Sequence, residues 1–165
     1  MSMKVQNLMA LAAKDKYLQK GFESQLEGDL ERSAKYFIES INRTPSPEGH
    51  TLLAFTFALM GELDEAILEC ERALQLNADF GYALNAIGVY HLEKGHSKKA
   101  QRFLKKALKS KLYEEQEQAH FNLARALVKN ELYVSACKHL RLALNKAPEF
   151  LAAKELLQKT EQILN

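Results

Sequence analysis

Five histidines, two cysteines and several adjacent carboxylates are the residues of this 165-residue chain equipped for proton transfer, metal ligation or nucleophilic attack. Acid–base catalysis needs a histidine or carboxylate within reach of a second group, and a metal needs three or four such ligands converging. His50, His91, His96, His120 and His139 are scattered, and none stands at ligand spacing from another His, Cys, Asp or Glu on one helical face. Asp64-Glu65 and Glu114-Glu115 fall at helix starts, where carboxylates complement the macrodipole. Cys70 and Cys137 lack CxxC spacing and read as reduced, half-buried small hydrophobes, which suits a reducing compartment. No glycine-rich phosphate loop, GxSxG elbow or HExxH occurs. The expectation is a non-enzyme with no catalytic residues, no metal and no cofactor.

Charge offers a different kind of chemistry. Residues 94–111, KGHSKKAQRFLKKALKSK, hold eight Lys or Arg and no acid. On a helix, Lys98, Lys99, Arg102, Lys105, Lys106 and Lys109 spread over the outer face, with Ala100, Phe103, Leu104, Ala107 and Leu108 turned inward. A solvated convex face or an electrostatic site for an acidic partner would both look like this. No aromatic platform for stacking bases accompanies the run, and the whole-chain charge of +2 gives no argument for nucleic acid. That small total hides an asymmetry, since residues 1–80 carry 8 basic and 13 acidic side chains and residues 81–165 carry 15 and 8. Ends of opposite sign favour head-to-tail association or two distinct binding faces.

The elements that position these residues repeat. Gly28, Gly61, Gly95 and Glu131 lie 33, 34 and 36 residues apart, and each precedes a small residue by five: Ser33, Ala66, Ala100 and Ala136. Seven further on come Ser40-Ile41, Ala73-Leu74, Ala107-Leu108 and Ala143-Leu144. A period near 34 predicts an all-α, right-handed solenoid of helix–turn–helix units. The reading is an N-terminal helical extension over 1–13, units at 14–46, 47–80, 81–116 and 117–150, and a capping helix at 151–165. In the cap, Ala152, Ala153, Leu156, Leu157 and Ile163 form one apolar side. Each glycine stands where a left-handed backbone ends the first helix of its unit, and Glu131 must manage the same turn with a side chain. The start of the chain is not a convincing signal peptide, because Gln6 and Asn7 interrupt its apolar run and no lipobox cysteine follows. Nor does any stretch reach the ~18–20 apolar residues of a membrane span. Cytoplasmic is the expected compartment.

The chain resembles a tetratricopeptide repeat protein over residues 14–150. The residues that carry the resemblance are Tyr17, Gly21, Gly28, Phe37 and Pro45, then Leu53, Phe57, Gly61, Ala66 and Ala73. Ile87, Gly88, Gly95, Ala100 and Ala107 follow in the third unit, and Leu123, Ala124, Ala136, Ala143 and Pro148 in the fourth. The family's early aromatic slot is filled by Tyr17, His50, Leu84 and His120, so His50 and His120 read as packing residues. A lengthened stretch around Ser110–Gln118 also resembles, more loosely, a repeat of type IV pilus-biogenesis tetratricopeptide proteins.

The resemblance implies a protein-interaction scaffold whose first helices line a concave groove. Its groove positions correspond here to Leu18, Phe22, Leu26, Phe55, Leu59, Tyr82, Asn85, Val89, Leu92, Phe121, Arg125 and Val128. Leu18, Phe22 and Leu52 occupy slots where carboxylate-clamping relatives carry cations and amides, which argues against capture of a peptide C-terminus. An apolar groove suits an amphipathic helix or peptide, and another copy of this chain is one source, making a homo-oligomer. Residues 3–13, apolar at Val5, Leu8, Met9, Leu11 and Ala12, are a second source or a simple extension of the first helix. The alternatives are an adaptor or chaperone for a secreted or pilus-assembly component, and an electrostatic binder of an acidic partner through residues 94–111.

Overall fold

A computed structural model describes residues 15–111 and 113–165. Among them are nine helices and no strand: α1 Lys16–Leu26, α2 Leu30–Arg43, α3 Pro47–Met60, α4 Leu63–Leu76, α5 Gly81–Glu93, α6 Ser97–Ala107, α7 Gln116–Val128, α8 Tyr133–Lys146 and α9 Leu151–Leu164. The expected extension over 1–13 lies outside the described residues.

Local chemistry sets the helix ends. Asp15 caps α1 by accepting from the Tyr17 and Leu18 amides at 2.7 and 3.2 Å, and its second oxygen accepts from Ser40 Oγ at 2.6 Å. That one carboxylate thereby ties α1 to α2. Burial works against its charge, but the bonds from Ser40, Tyr17 and Leu18 and the nearby Arg43 hold it below the usual carboxylate range. Ser46 caps α3 through the Gly49 amide at 3.1 Å, with Pro47 in the first turn. The turns inside the first three pairs use positive φ at Gly28, Gly61 and Gly95 (83°, 86° and 78°), and Glu131 adopts φ 59° at the fourth. The chain thus makes the same turn four times, once against the preference of its residue.

Helices pack in consecutive pairs, α1 with α2, α3 with α4, α5 with α6 and α7 with α8, while α9 lies against α8. The first helices of successive pairs also touch, α1 with α3, α3 with α5 and α5 with α7. They share one side of the molecule, here called the inner face. α3 and α5 are apolar nearly all round and are correspondingly buried, whereas α6 carries a strongly one-sided apolar stripe.

The core runs along the stack. Phe37, Leu52, Ile87, Leu104, Leu123 and Leu140 are fully enclosed. Ala66, Ala73, Ala100, Ala107, Ala136 and Ala143 are fully buried as well, and these small side chains let paired helices approach. In the first pair, Ser33 and Ser40 hold the corresponding seats, and their hydroxyls are satisfied by Thr56 Oγ1 at 3.3 Å and by Asp15. Truncating one of the enclosed leucines to alanine costs about 2–5 kcal/mol.

The stripe on α9 differs from the expected one. Ala153, Leu156, Leu157 and Thr160 form the inward i, i+3, i+4, i+7 row, whereas Ala152 is exposed and Ile163 is 58% exposed. Ala152 stands one residue off that row, and the polar Thr160, donating to Leu156 O at 2.6 Å, occupies a core seat.

Candidate functional site

A cavity of ≈ 310 Å³ opens on the inner face between α3 and α5. Phe55, Ala58 and Leu59 come from α3, Tyr82, Asn85, Ala86, Val89, Tyr90 and Glu93 from α5, and Gln25 from the end of α1. Tyr113 and Glu115 come from the connection between α6 and α7. The wall is largely apolar and aromatic. Leu59 is 63% exposed at the mouth and Leu26, one residue beyond Gln25, is 57% exposed.

The connection that supplies Tyr113 and Glu115 is longer than its counterparts, running 108–115 where the others cover 44–46, 77–80 and 147–150. Ser110 anchors it by donating from Oγ to the Asp79 carbonyl at 2.6 Å. Tyr113 then descends onto the start of α5, where a Cβ added to Gly81 would lie 2.2 Å from the Tyr113 Cβ. The absence of a side chain at Gly81 is what admits the tyrosine. Once seated, Tyr113 meets Tyr82 edge to face with ring centroids 5.2 Å apart, and Phe80 lies against Tyr82 at 5.6 Å.

Among the described residues the charged groups that line this corner are carboxylates. Burial, reinforced by the carboxylates of Glu115, Glu114 and Glu117, pushes the Tyr82 phenol up to about 12. Burial and the carboxylates of Glu115 and Glu117 likewise raise Tyr113 well above its ordinary value. Among the described residues no Lys, Arg or His lines the cavity. Among the described residues the buried hydroxyls of Tyr90 and Tyr113 find no hydrogen-bond partner.

A polar seam continues along the inner face on both sides. Gln25 Nε2 donates to Thr56 Oγ1 at 3.1 Å, linking α1 to α3. Asn122 Nδ2 donates to Asn85 Oδ1 at 3.2 Å, and Arg125 donates to Asn122 Oδ1 at 3.2 Å.

Of the groove positions expected from sequence, Phe55, Leu59, Tyr82, Asn85 and Val89 converge on the cavity. Phe22 is half-buried on α1 and Val128 on α7, and neither lines it. Phe121 packs on Phe150 with centroids 4.8 Å apart and has Arg125 5.9 Å from its ring. Leu18 and Leu92 are buried core residues and do not line the cavity. Leu18 sits against α3 near Gly49, and Leu92 joins Leu123 and Leu127 in the C-terminal half of the core. Sequence reasoning missed Tyr113 and Glu115, although the lengthened stretch that carries them was visible.

The six basic residues are all exposed, and none of them pairs with a carboxylate among the described residues. Arg102, Phe103, Lys105, Lys106 and Lys109 surround a shallow depression of ≈ 490 Å³.

The histidines meet partners across their helix pairs. His50 Nδ1 lies 2.7 Å from Glu69 Oε2 between α3 and α4, both buried. Seventy residues later the same seats bring His120 Nδ1 within 2.9 Å of His139 Nδ1. Burial, with help from His139 and Lys146, lowers His120 to about 4, and burial with Lys138 and Lys105 lowers His139. One neutral imidazole must donate and the other accept. Among the described residues no group of three or more His, Cys, Asp or Glu could hold a metal ion. Cys70 and Cys137 are buried and unpaired, and burial raises both thiols.

Residues 47–80 and 82–112 each match the tetratricopeptide repeat family model. No curated protein matches the sequence. Among solved structures, the chain is similar to pilF of Pseudomonas aeruginosa, at 23% identity and TM-score 0.81 over 93% of this chain and 71% of that one. It is similar to PilW, a type IV pilus biogenesis factor, at 18% identity and TM-score 0.83 over 89% and 68%. It is also similar to YrrB, a tetratricopeptide protein with an unusual peptide-binding site, at 14% identity and TM-score 0.69 over 98% and 84%. Paired helices stacked in sequence order are the fold these structures share with the chain. No helix among the described residues is long and apolar enough to cross a membrane.

Proposed function

Taking the stacked helix pairs as tetratricopeptide repeats, we propose that this chain is a non-catalytic scaffold. Its inner face buries an apolar helix or peptide of a protein partner, and a second copy of the chain serves as that partner. The observation that carries this reading is the open aromatic cavity on the inner face, with Leu59 and Leu26 exposed beside it. Exposed apolar surface around a preformed cavity is characteristic of binding sites, and aromatic side chains there supply contact at low entropic cost. Opposed charge on the two halves, −5 and +7, supports association between copies. The two unpaired buried thiols agree with a cytoplasmic setting.

Mass in solution by light scattering, over a wide concentration range, tests the reading. The full chain is expected to grow heavier with concentration and Phe55→Glu to stay monomeric. A monomer throughout leaves the cavity to a foreign ligand, as in an adaptor for a pilus or secreted component, and removes self-association. A second reading rests on the six cations of α6 and its C-terminal turn, exposed and unpaired among the described residues, which suit an acidic partner. Binding through them weakens steeply with salt, whereas groove binding is less affected. Two variants separate them: Lys98→Glu, Arg102→Glu, Lys105→Glu together abolish binding of an acidic partner, whereas Phe55→Glu does not.

A further inference from the structure

We propose that the exposed face of α6 docks an acidic segment of another protein, and that this segment lays one large apolar side chain on Phe103. This rests on the reading of α6 as a site for an acidic partner and adds an apolar anchor at its centre. Charge is the first argument. Lys98, Lys99, Arg102, Lys105, Lys106 and Lys109 are exposed and pair with no carboxylate among the described residues. Residues 1–14 and 112 contain no Asp or Glu, so they have no acidic side chain to supply. Each of the six has a like-charged neighbour three or four positions away, and such neighbours repel on a helix. α2 shows the usual remedy: Arg32 pairs with Glu27 and Asp29, and Arg43 with Glu39. An acidic partner is the remedy open to α6. Lys98, Arg102, Lys105 and Lys109 follow one another at i, i+4, i+7 and i+11, a stripe about 16 Å long. Carboxylates spaced along a partner segment complement that stripe.

Shape is the second argument. Arg102, Phe103, Lys105, Lys106 and Lys109 surround the depression of ≈ 490 Å³, which falls in the size range of ligand pockets. Phe103, half-buried, is the one apolar side chain among those five. Its ring has the His91 ring centred 5.7 Å away and the Lys106 ammonium 5.6 Å from its centroid. An apolar side chain laid there covers Phe103 and the alkyl stems of the lysines, while their ammonium groups stay free to meet acid. An anionic membrane fits this face less well, since no large apolar side chain of α6 is exposed to enter a bilayer. Nucleic acid also fits less well, because one half-buried ring makes no platform for successive bases.

The test uses the full chain and two fluorescently labelled, glutamate-rich peptides of about a dozen residues, long enough to follow the stripe. They are identical except at the centre, where one carries phenylalanine and the other alanine. Affinity is read by fluorescence anisotropy, and the Phe103 ring is followed by NMR. The phenylalanine peptide is expected to bind at least about fivefold tighter than the alanine peptide and to shift that ring. Added salt is expected to weaken both peptides and leave their ratio nearly unchanged, because an apolar contact is not screened. Arg102→Glu with Lys105→Glu, both at exposed positions, is expected to weaken both peptides by about tenfold or more. Equal affinity of the two peptides would remove the apolar anchor and leave the acidic-partner reading standing. Binding of neither would remove both. A polyuridine strand or a phosphatidylserine vesicle that binds through Arg102 and Lys105, with the phenylalanine peptide leaving the Phe103 ring unmoved, would overturn the protein partner.

Discussion

At the scale of single residues, the most sensitive interaction is the histidine pair. Where the second helix pair sets His50 against Glu69, the fourth sets His120 against His139 at 2.9 Å, and both of those imidazoles are held neutral. A histidine whose folded pKa is depressed binds fewer protons than the unfolded chain. Stability therefore begins to fall as pH drops below about 6.5 and keeps falling until the folded value, about 4 for His120, is passed. Thermal melts are expected to show Tm declining from pH 7 to about pH 4.5. His139→Glu recreates the His50–Glu69 pairing, and its Tm should be flatter over the same window. An equal decline in both proteins would assign the acid sensitivity elsewhere. Asp15 acts in the same sense over a more acidic window, as a depressed carboxylate whose contribution is present above about pH 4 and lost below it. Asp15→Ala removes a cap and the bond to Ser40 together, at an expected cost of about 1–2 kcal/mol in chemical denaturation at pH 7.

At the scale of elements, the turns and the long α6–α7 connection make separate predictions. Glu131 takes the left-handed turn that glycine takes in the other three pairs, so Glu131→Gly should stabilise the chain by about 1 kcal/mol. A loss of stability would mean that its side chain has a role the backbone strain conceals. Gly81→Ala drives a methyl into Tyr113 and should cost about 1–3 kcal/mol. It should also move the Tyr113 ring away from Tyr82, visible as a changed near-ultraviolet circular dichroism signal. The turns were legible in the sequence because Gly28, Gly61 and Gly95 mark backbone conformations that few other residues adopt, at a fixed distance from buried small residues. The seat of Tyr113 was not. It depends on Gly81, 32 residues earlier in the chain, and on an irregular connection with no periodicity to read. Leu18 and Leu92 show the complementary difficulty. Adjacent residues of a helix point about 100° apart, so a small error in register turns a core residue into a surface one.

Across the whole molecule, the stack carries two surfaces of contrasting character. The inner one is apolar with an acidic corner, and α6 carries the basic one. Exposed apolar side chains are not confined to the inner face, since Val134, Leu151 and Ile163 also meet solvent near the C-terminal end. Their presence gives an internal control for the proposed contact between copies. The methyl NMR spectrum of the full chain, recorded from dilute to concentrated solution, tests the location of that contact most directly. Leu26, Leu59 and Val89 are expected to shift with concentration while Val134, Leu151 and Ile163 stay still. Shifts at Val134, Leu151 or Ile163 with a silent inner face would contradict groove-mediated self-association.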